Sequence, residues 1–204
     1  MRARALAAAV VPISTVLLFA CGQRAEDAAP PAAAAPAAPA ASPRSATPAE
    51  PAAGDWPAYN RTVAGARFSP LAEIDRGNVA SLAPVCSYTL PEVSALQTGP
   101  IVVAGVMYFT TETRSYAIDA GTCAAKWVVE RAVERPSPLG VHRGFAYWNG
   151  RLFRGTSDAH VLALDAADGH TLWDHEIDAK APGVTMPMAP IAANGLVFIG
   201  NAGG

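Results

Sequence analysis

The chain has 204 residues, a formal net charge of −2 at pH 7 and three cysteines. From Asp55 to Gly204 it carries 11 Lys and Arg against 14 Asp and Glu, so no cationic excess recommends nucleic acid as a partner. No apolar run reaches the roughly 18 residues of a membrane span, and three scattered cysteines are too few for a disulfide-built mini-domain or a zinc site.

Residues 1–21 read as a leader. Arg2 and Arg4 precede a mostly apolar stretch, Ala5 to Ala20, that is broken by Pro12, Ser14 and Thr15. Such a stretch fits a secretory signal rather than a span. It ends Leu18-Phe19-Ala20-Cys21, which resembles a bacterial lipoprotein cleavage box, with Phe19 bulkier than is usual there. Cleavage before Cys21 would leave an acylated N-terminus carrying several lipid chains, enough for stable anchoring. The plainer alternative is an ordinary signal peptide with an incidental cysteine. Gly22 after the cysteine, where Asp would imply retention in the inner membrane, implies the outer one. The expectation is a lipid-anchored protein on the periplasmic side.

Residues 22–54 form a linker. The window from Ala25 to Gly54 holds 15 Ala and 7 Pro. It cannot bury a core, and in a polyproline-like form at about 3.1 Å per residue it would reach ~90 Å.

Residues 55–84 are an aromatic-bearing entry segment, and from residue 85 onward the chain repeats. Tyr116-Ala117-Ile118-Asp119 through Trp127 aligns without gaps on Leu162-Ala163-Leu164-Asp165 through Trp173, so that Ala, Asp and Trp recur at an offset of 46. Gly105, Gly150 and Gly195 follow apolar runs at intervals of 45. Ala-Gly and Asn-Gly between such runs signal tight hairpins. Asp165-Ala166-Ala167-Asp168-Gly169 reads as a turn, with Gly supplying the positive φ. Four short strands in about 45 residues is the size of one propeller blade. The predicted fold is all-β, with about two blades and the start of a third. A Trp at a fixed place in each unit suits the contact between blades, because its N–H can reach a neighbouring carbonyl.

The pattern Ala-x-Asp-x-x-x-Gly-x-x-x-Trp resembles the tryptophan-docking motif of eight-bladed quinoprotein propellers. Ala163, Asp165, Gly169 and Trp173 match it in full, while Ala117, Asp119 and Trp127 match with Cys123 in place of Gly. The entry segment adds to the likeness. Asp55-Trp56-Pro57-Ala58-Tyr59-Asn60, Arg67-Phe68-Ser69-Pro70-Leu71 and Asn78-Val79 resemble the opening of the dehydrogenases that use pyrroloquinoline quinone (PQQ). A non-enzymatic outer-membrane assembly scaffold lipoprotein shares the propeller and is the alternative.

The resemblance implies site residues. Arg143, in His142-Arg143-Gly144-Phe145-Ala146, stands where the family's Asn-Arg-Gly-Val-Ala run pairs its Arg with a cofactor carboxylate. Thr185 approximates a donor Thr a few residues before Ala-Pro. Gln97 takes the place of a Glu found in methanol-oxidising members. Ala202, Gly203 and Gly204 resemble the Gly-rich loop beside the quinone. Adjacent cysteines of simple-alcohol oxidisers are replaced by Ser137 and Pro138.

Cys86 sits where a strand Pro84–Tyr88 would present its own docking Trp, and Cys123 sits in the next unit's turn. In a secreted context a Cys86–Cys123 bridge is expected, the alternative being two buried free thiols. His142, His160, His170 and His175 show no ligand spacing and read as turn or strand-face residues. No Cys-x-x-Cys-His, Gly-x-Ser-x-Gly, P-loop or Rossmann fingerprint occurs. Taken with its size, the chain reads as the N-terminal part of a larger PQQ-dependent dehydrogenase of an alcohol, sugar or aldehyde. Calcium ligands and a catalytic base would lie beyond residue 204, electrons would pass to a cytochrome or quinone acceptor, and this part alone would be inactive.

Overall fold

The computed structural model describes residues 50–136, 139–177 and 183–202. The leader with Cys21, most of the linker, Ser137, Pro138, Gly203 and Gly204 lie outside the described residues. Among those described, two four-stranded antiparallel sheets follow one another in the chain. The first contains β1 (Ile101–Val103), β2 (Val106–Thr110), β3 (Arg114–Asp119) and β4 (Ala125–Glu130), paired in that order. The second contains β5 (Ala146–Trp148), β6 (Arg151–Gly155), β7 (His160–Asp165) and β8 (Thr171–Glu176), again in sequence order. A two-stranded sheet, β9 (Ile191–Ala193) and β10 (Leu196–Phe198), completes the described elements, with one short 3-10 turn at Val79–Ser81.

The repeat sets the turn chemistry. Each unit's first hairpin is closed by two residues in the left-handed region: Ala104 (φ 49°) and Gly105 (76°), Asn149 (48°) and Gly150 (75°), Asn194 (53°) and Gly195 (77°). These are the mirror-image turns that match the twist of the strands they join. The β3–β4 and β7–β8 turns also correspond. Asp119 and Asp165 each receive an amide from four residues on, Cys123 N (2.9 Å) and Gly169 N (2.8 Å). Their side chains accept further turn amides, from Gly121 and Thr122 in one case and Ala167 in the other. Cys123 therefore occupies the left-handed seat of Gly169, at φ 58° against 79°. Its Sγ is bonded to Cys86, with the two Cα atoms 5.8 Å apart. Both sheets carry a register shift at the same place, Ala117/Ile118 and Ala163/Leu164.

Alternation within a strand gives each sheet two apolar faces. On one face of the first sheet, Tyr108, Ala117 and Trp127 lie side by side across three strands. They pack with Phe145, Leu152, Leu162, Leu164 and Ala166 of the second sheet and its approach. The Trp127 indole N–H donates to Ala166 O (3.1 Å), an acceptor shared with the Tyr108 hydroxyl (3.3 Å). The indole lies against the Gly169 turn, where a Cβ would come within 2.7 Å of Trp127 Cε3. Trp173 holds the corresponding seat: it pairs with Ala163 as Trp127 pairs with Ala117. It meets Phe153 at 6.0 Å and 41°, and Trp127 meets Tyr108 at 6.0 Å and 42°.

The other face of the first sheet, Phe109, Tyr116 and Ile118, is covered by Tyr88, Leu90 and Cys123. Phe109 and Tyr116 stack at 4.7 Å, and Tyr88 meets both edge-on. This corrects the expectation of a strand over Pro84–Tyr88. The segment pairs with no strand among the described residues; it is held by side-chain burial and the disulfide instead of by a ladder. The entry segment threads between the two sheets. Trp56 exchanges backbone bonds with Val102 (2.7 and 3.0 Å), and Pro57 O accepts from Tyr147 N (2.9 Å).

An ionic clamp ties the end of β4 to the second sheet. Arg131 bonds Asp158 (2.9 Å) and Asp174 (2.9 Å). Asp158 is 1% exposed and also accepts from the Thr156 hydroxyl and the Glu134 amide. Burial pushes its carboxyl upward, but these donors and the Arg131 charge outweigh burial and leave it below the usual carboxylate range.

Two sets of substitutions test this packing. Gly105 and Gly169 share a positive φ, but a Cβ at Gly105 meets nothing within 4 Å. Gly105→Ala should therefore cost only backbone strain, about 1 kcal/mol, and Gly169→Ala about 3 kcal/mol, read as midpoint shifts in urea. Equal costs would show that the indole does not press on this turn. Because the folded pKa of Asp158 is depressed, its stabilisation is complete above the unfolded value of about 3.9 and is lost as pH falls through the folded value. Asp158→Asn should cost about 2–3 kcal/mol at pH 7 and flatten the acid limb of stability below pH ~4.

Candidate functional site

Each unit enters its first strand through a short segment, and these segments lie side by side. Gln97-Thr98-Gly99 precedes β1, His142-Arg143-Gly144 precedes β5, and Thr185-Met186-Pro187 precedes β9. Gly99 N donates to Arg143 O (3.1 Å) and Arg143 N to Pro187 O (2.9 Å). Thr185 exchanges backbone bonds with Ala202 in both directions, each 2.8 Å. The predicted positions Gln97, Arg143, Thr185 and Ala202 are thereby carried on adjoining strips of backbone.

Glycine makes the approach possible. A Cβ on Gly144 (φ 106°) would lie 2.7 Å from Gly99 O, and one on Gly155 would lie 2.2 Å from Met186 O. A Cβ on Gly99 would lie 2.6 Å from the Tyr59 ring, so the entry segment closes on the same place.

The side chains differ in what they offer. Arg143 is exposed, and its guanidinium has no hydrogen bond or ion pair among the described residues. It lines a cleft of ≈ 230 Å³ with Tyr59, Arg67, Met188 and Ile191. Arg67 is engaged with Asn60 Oδ1 (2.5 Å) and sits over the Tyr59 ring. Gln97 is exposed. The Thr185 hydroxyl donates to Ala202 O (3.1 Å), so its proton is already engaged.

His142 corrects the reading of a turn or strand-face residue. It is 3% exposed and bonded on both nitrogens: Nε2 to Gly155 O (2.7 Å), and Nδ1 to the Thr110 hydroxyl (2.8 Å) and Gly144 N (3.1 Å). Burial, with the Arg154 charge beside it, holds its imidazole well below the usual range.

Arg154 was not anticipated either. It reaches from β6 into the first sheet and places its five N–H groups on Gly155 O, Arg114 O, Ser115 Oγ, Thr111 O and Glu112 O. Burial pulls its guanidinium down to about 9. The available signal is an Arg inside the apolar run Arg151-Leu152-Phe153-Arg154-Gly155. Thr98 and Thr110 carry no signal at all.

The residues present fit an anionic, planar cofactor in part. An unpartnered guanidinium stands on glycine-lined backbone at an open cleft. For a metal the fit is absent: among the described residues no group of three or more His, Cys, Asp or Glu could hold one ion.

Residues 56–176, more than half of the chain, match the PQQ family model for the glucose/ethanol/alcohol dehydrogenase beta-propeller domain. The dehydrogenase subunit of the quinone alcohol dehydrogenase of Gluconobacter oxydans (strain 621H) is 36% identical over 162 residues, covering 74% of this chain and 21% of that protein. The quinohemoprotein alcohol dehydrogenase ADHIIG of Pseudomonas putida HK5 superposes with a TM-score of 0.70 at 34% identity, covering 74% of this chain and 23% of that one. BamB of Moraxella catarrhalis superposes at 0.50 with 17% identity, over 58% of this chain and 38% of its own; at that identity the likeness is one of fold alone. The chain thus spans about a fifth of the length of the dehydrogenase it matches. Its two four-stranded sheets and the two-stranded one that follows are units of a β-propeller, and the chain belongs to the PQQ-dependent quinoprotein alcohol dehydrogenase family.

Proposed function

We propose that this chain is the N-terminal part of a PQQ-dependent dehydrogenase that oxidises an alcohol, a sugar or an aldehyde. The observation that carries the reading is Arg143, an exposed guanidinium without a partner among the described residues, held where three successive units bring their backbones together. A tricarboxylate quinone needs a cation of this geometry. PQQ, when bound, accepts two electrons from the substrate and supplies the redox chemistry. The chain's own part is to bind and orient. Arg143 faces a carboxylate, Gly144 and Gly99 allow close packing, and Gln97 offers an exposed amide that donates and accepts. The Ala202 strip would form one wall; Gly203 and Gly204, the other predicted positions of that loop, lie outside the described residues. Calcium, a catalytic base and a cytochrome or quinone acceptor belong to the proposed whole enzyme, not to the residues described. Trp127 and Trp173, with Ala117, Asp119, Ala163, Asp165 and Gly169, serve as docking elements between blades.

Cys21 is proposed as the lipidation site, which would place the protein at the periplasmic face of a membrane, the outer one by its Gly22. The linker would hold the propeller away from the bilayer.

Arg143→Ala should weaken PQQ binding about 10- to 100-fold, the loss expected of one charge-assisted contact, with little change in the urea midpoint. Binding is read by titrating the protein with PQQ and Ca²⁺, followed by dye reduction with alcohols and sugars. Absence of quinone binding by the parent protein would favour a cofactor-free scaffold. Cys21→Ala should shift the protein from the membrane fraction to the soluble periplasm; continued membrane association would refute the anchor.

A further inference from the structure

The buried histidine beside Arg143 has a hydrogen-bond pattern that fixes its protons. Nε2 faces a carbonyl, Gly155 O at 2.7 Å, which can only accept. Nε2 must therefore carry a hydrogen. Nδ1 faces the Gly144 amide at 3.1 Å, which can only donate, so Nδ1 presents its lone pair. The Thr110 hydroxyl stands 2.8 Å from the same lone pair and must point its hydrogen there, since two lone pairs at that distance repel. Its own lone pair then takes the Thr98 hydroxyl (3.2 Å), whose oxygen in turn accepts the Thr110 amide (3.1 Å). The chain of bonds runs from the first unit through the His142 ring to the Gly155 carbonyl of the second. That carbonyl also receives Arg154 Nε (3.2 Å). The third unit is held at the same place, by Arg143 N on Pro187 O and Met186 N on Thr156 O (2.8 Å).

Gly144 has φ 106°, a conformation that disfavours any residue with a Cβ. His142 accepts its amide from inside the protein, while Arg143, between the two, projects outward. We propose that His142, as the neutral Nε2–H tautomer, is the positioning residue that sets the Arg143–Gly144 backbone and so aims the guanidinium at an anionic ligand. Only the identity of that ligand rests on the PQQ reading; the backbone conformation and the tautomer do not.

Two variants separate the acceptor from mere filling. In His142→Asn the Oδ1 stands at the δ position of the ring nitrogen and keeps an acceptor for Gly144. In His142→Phe the ring volume stays and the acceptor goes. The experiment uses the full chain labelled with ¹⁵N. Imidazole nitrogen shifts report the tautomer at pH 7, amide hydrogen exchange reports Gly144, and a PQQ titration reports affinity.

The expected result is an Nε2–H tautomer in the parent. In His142→Phe, Gly144 should exchange about ten-fold faster, as for the loss of one buried hydrogen bond, while Gly169 in the outer turn keeps its rate. His142→Asn should stay close to the parent, and PQQ affinity should fall with Phe and hold with Asn. An Nδ1–H or doubly protonated ring at pH 7 would overturn the proposal, and so would unchanged Gly144 exchange in the Phe variant. Faster exchange at Gly144 and Gly169 together would also count against it, because it would report general loosening. The tautomer is measured on the parent and decides even if the Phe variant does not fold. A full-length protein that binds no PQQ, beside a chain that shows the tautomer and the Gly144 effect, would remove the cofactor reading and leave the positioning role standing.

Discussion

A four-stranded sheet that is apolar on both faces cannot stand in water alone, and every other feature of this chain follows from how those faces are covered. β3 and β7 show it best: each has four consecutive buried residues between half-buried ends. In a sheet with one wet face such a run would alternate. One face of the first sheet is met by the second sheet, with Trp127 as the largest shared side chain. The other is met by the aperiodic segment through Tyr88 and Leu90. The disulfide belongs to this covering. Tied at Cys123, the segment cannot drift from a surface to which no backbone ladder holds it. A non-Gly residue at φ 58° is unfavourable, and the cross-link offsets that strain with closure of a 37-residue loop.

The units were legible in the sequence because their turns demand particular residues. Ala104-Gly105, Asn149-Gly150 and Asn194-Gly195 sit at one interval because two left-handed residues close each hairpin. Asp119 and Asp165 recur because their side chains tie down turn amides. The strand misread at Pro84–Tyr88 shows the limit of such reasoning. Tyr88 and Leu90 are apolar at a strand-like spacing, and nothing local says that the segment meets a sheet face rather than a sheet edge. His142, Thr98, Thr110 and Arg154 escape for a related reason. His142, Thr110 and Arg154 are buried and Thr98 half-buried, each in contact with residues 12 or more positions away, and no periodicity marks a polar side chain whose partners come from another strand or another unit.

The same distinction separates the two ways in which the sheets are joined. Around Trp127 the contact is largely apolar: area removed from water holds it, and one carbonyl satisfies the indole. Around Arg154 and His142 it is polar and exacting. Arg154 is 2% exposed, and its five N–H groups meet four carbonyls and one hydroxyl. Such a group returns little of its desolvation cost as stability, but five donors in a planar fork accept only one arrangement of the strands around them. The apolar contact therefore brings the two sheets together, and the polar one sets their spacing beside Arg143.

That division places the demanding chemistry where a ligand would need it. An anionic ligand meeting Arg143 would tolerate a misplacement of only a fraction of an ångström before a charge-assisted bond weakened. Arg143 lies on a short segment between strands, the kind of position that ordinarily moves. Here its amide is fixed to Pro187, its carbonyl to Gly99, and the next amide to His142. Two bonds to neighbouring segments and one within its own leave this stretch of backbone little freedom while the Arg143 side chain stays exposed. The arrangement resembles a metal site's outer shell in its logic, where groups that never touch the ligand decide how well the one that does is aimed.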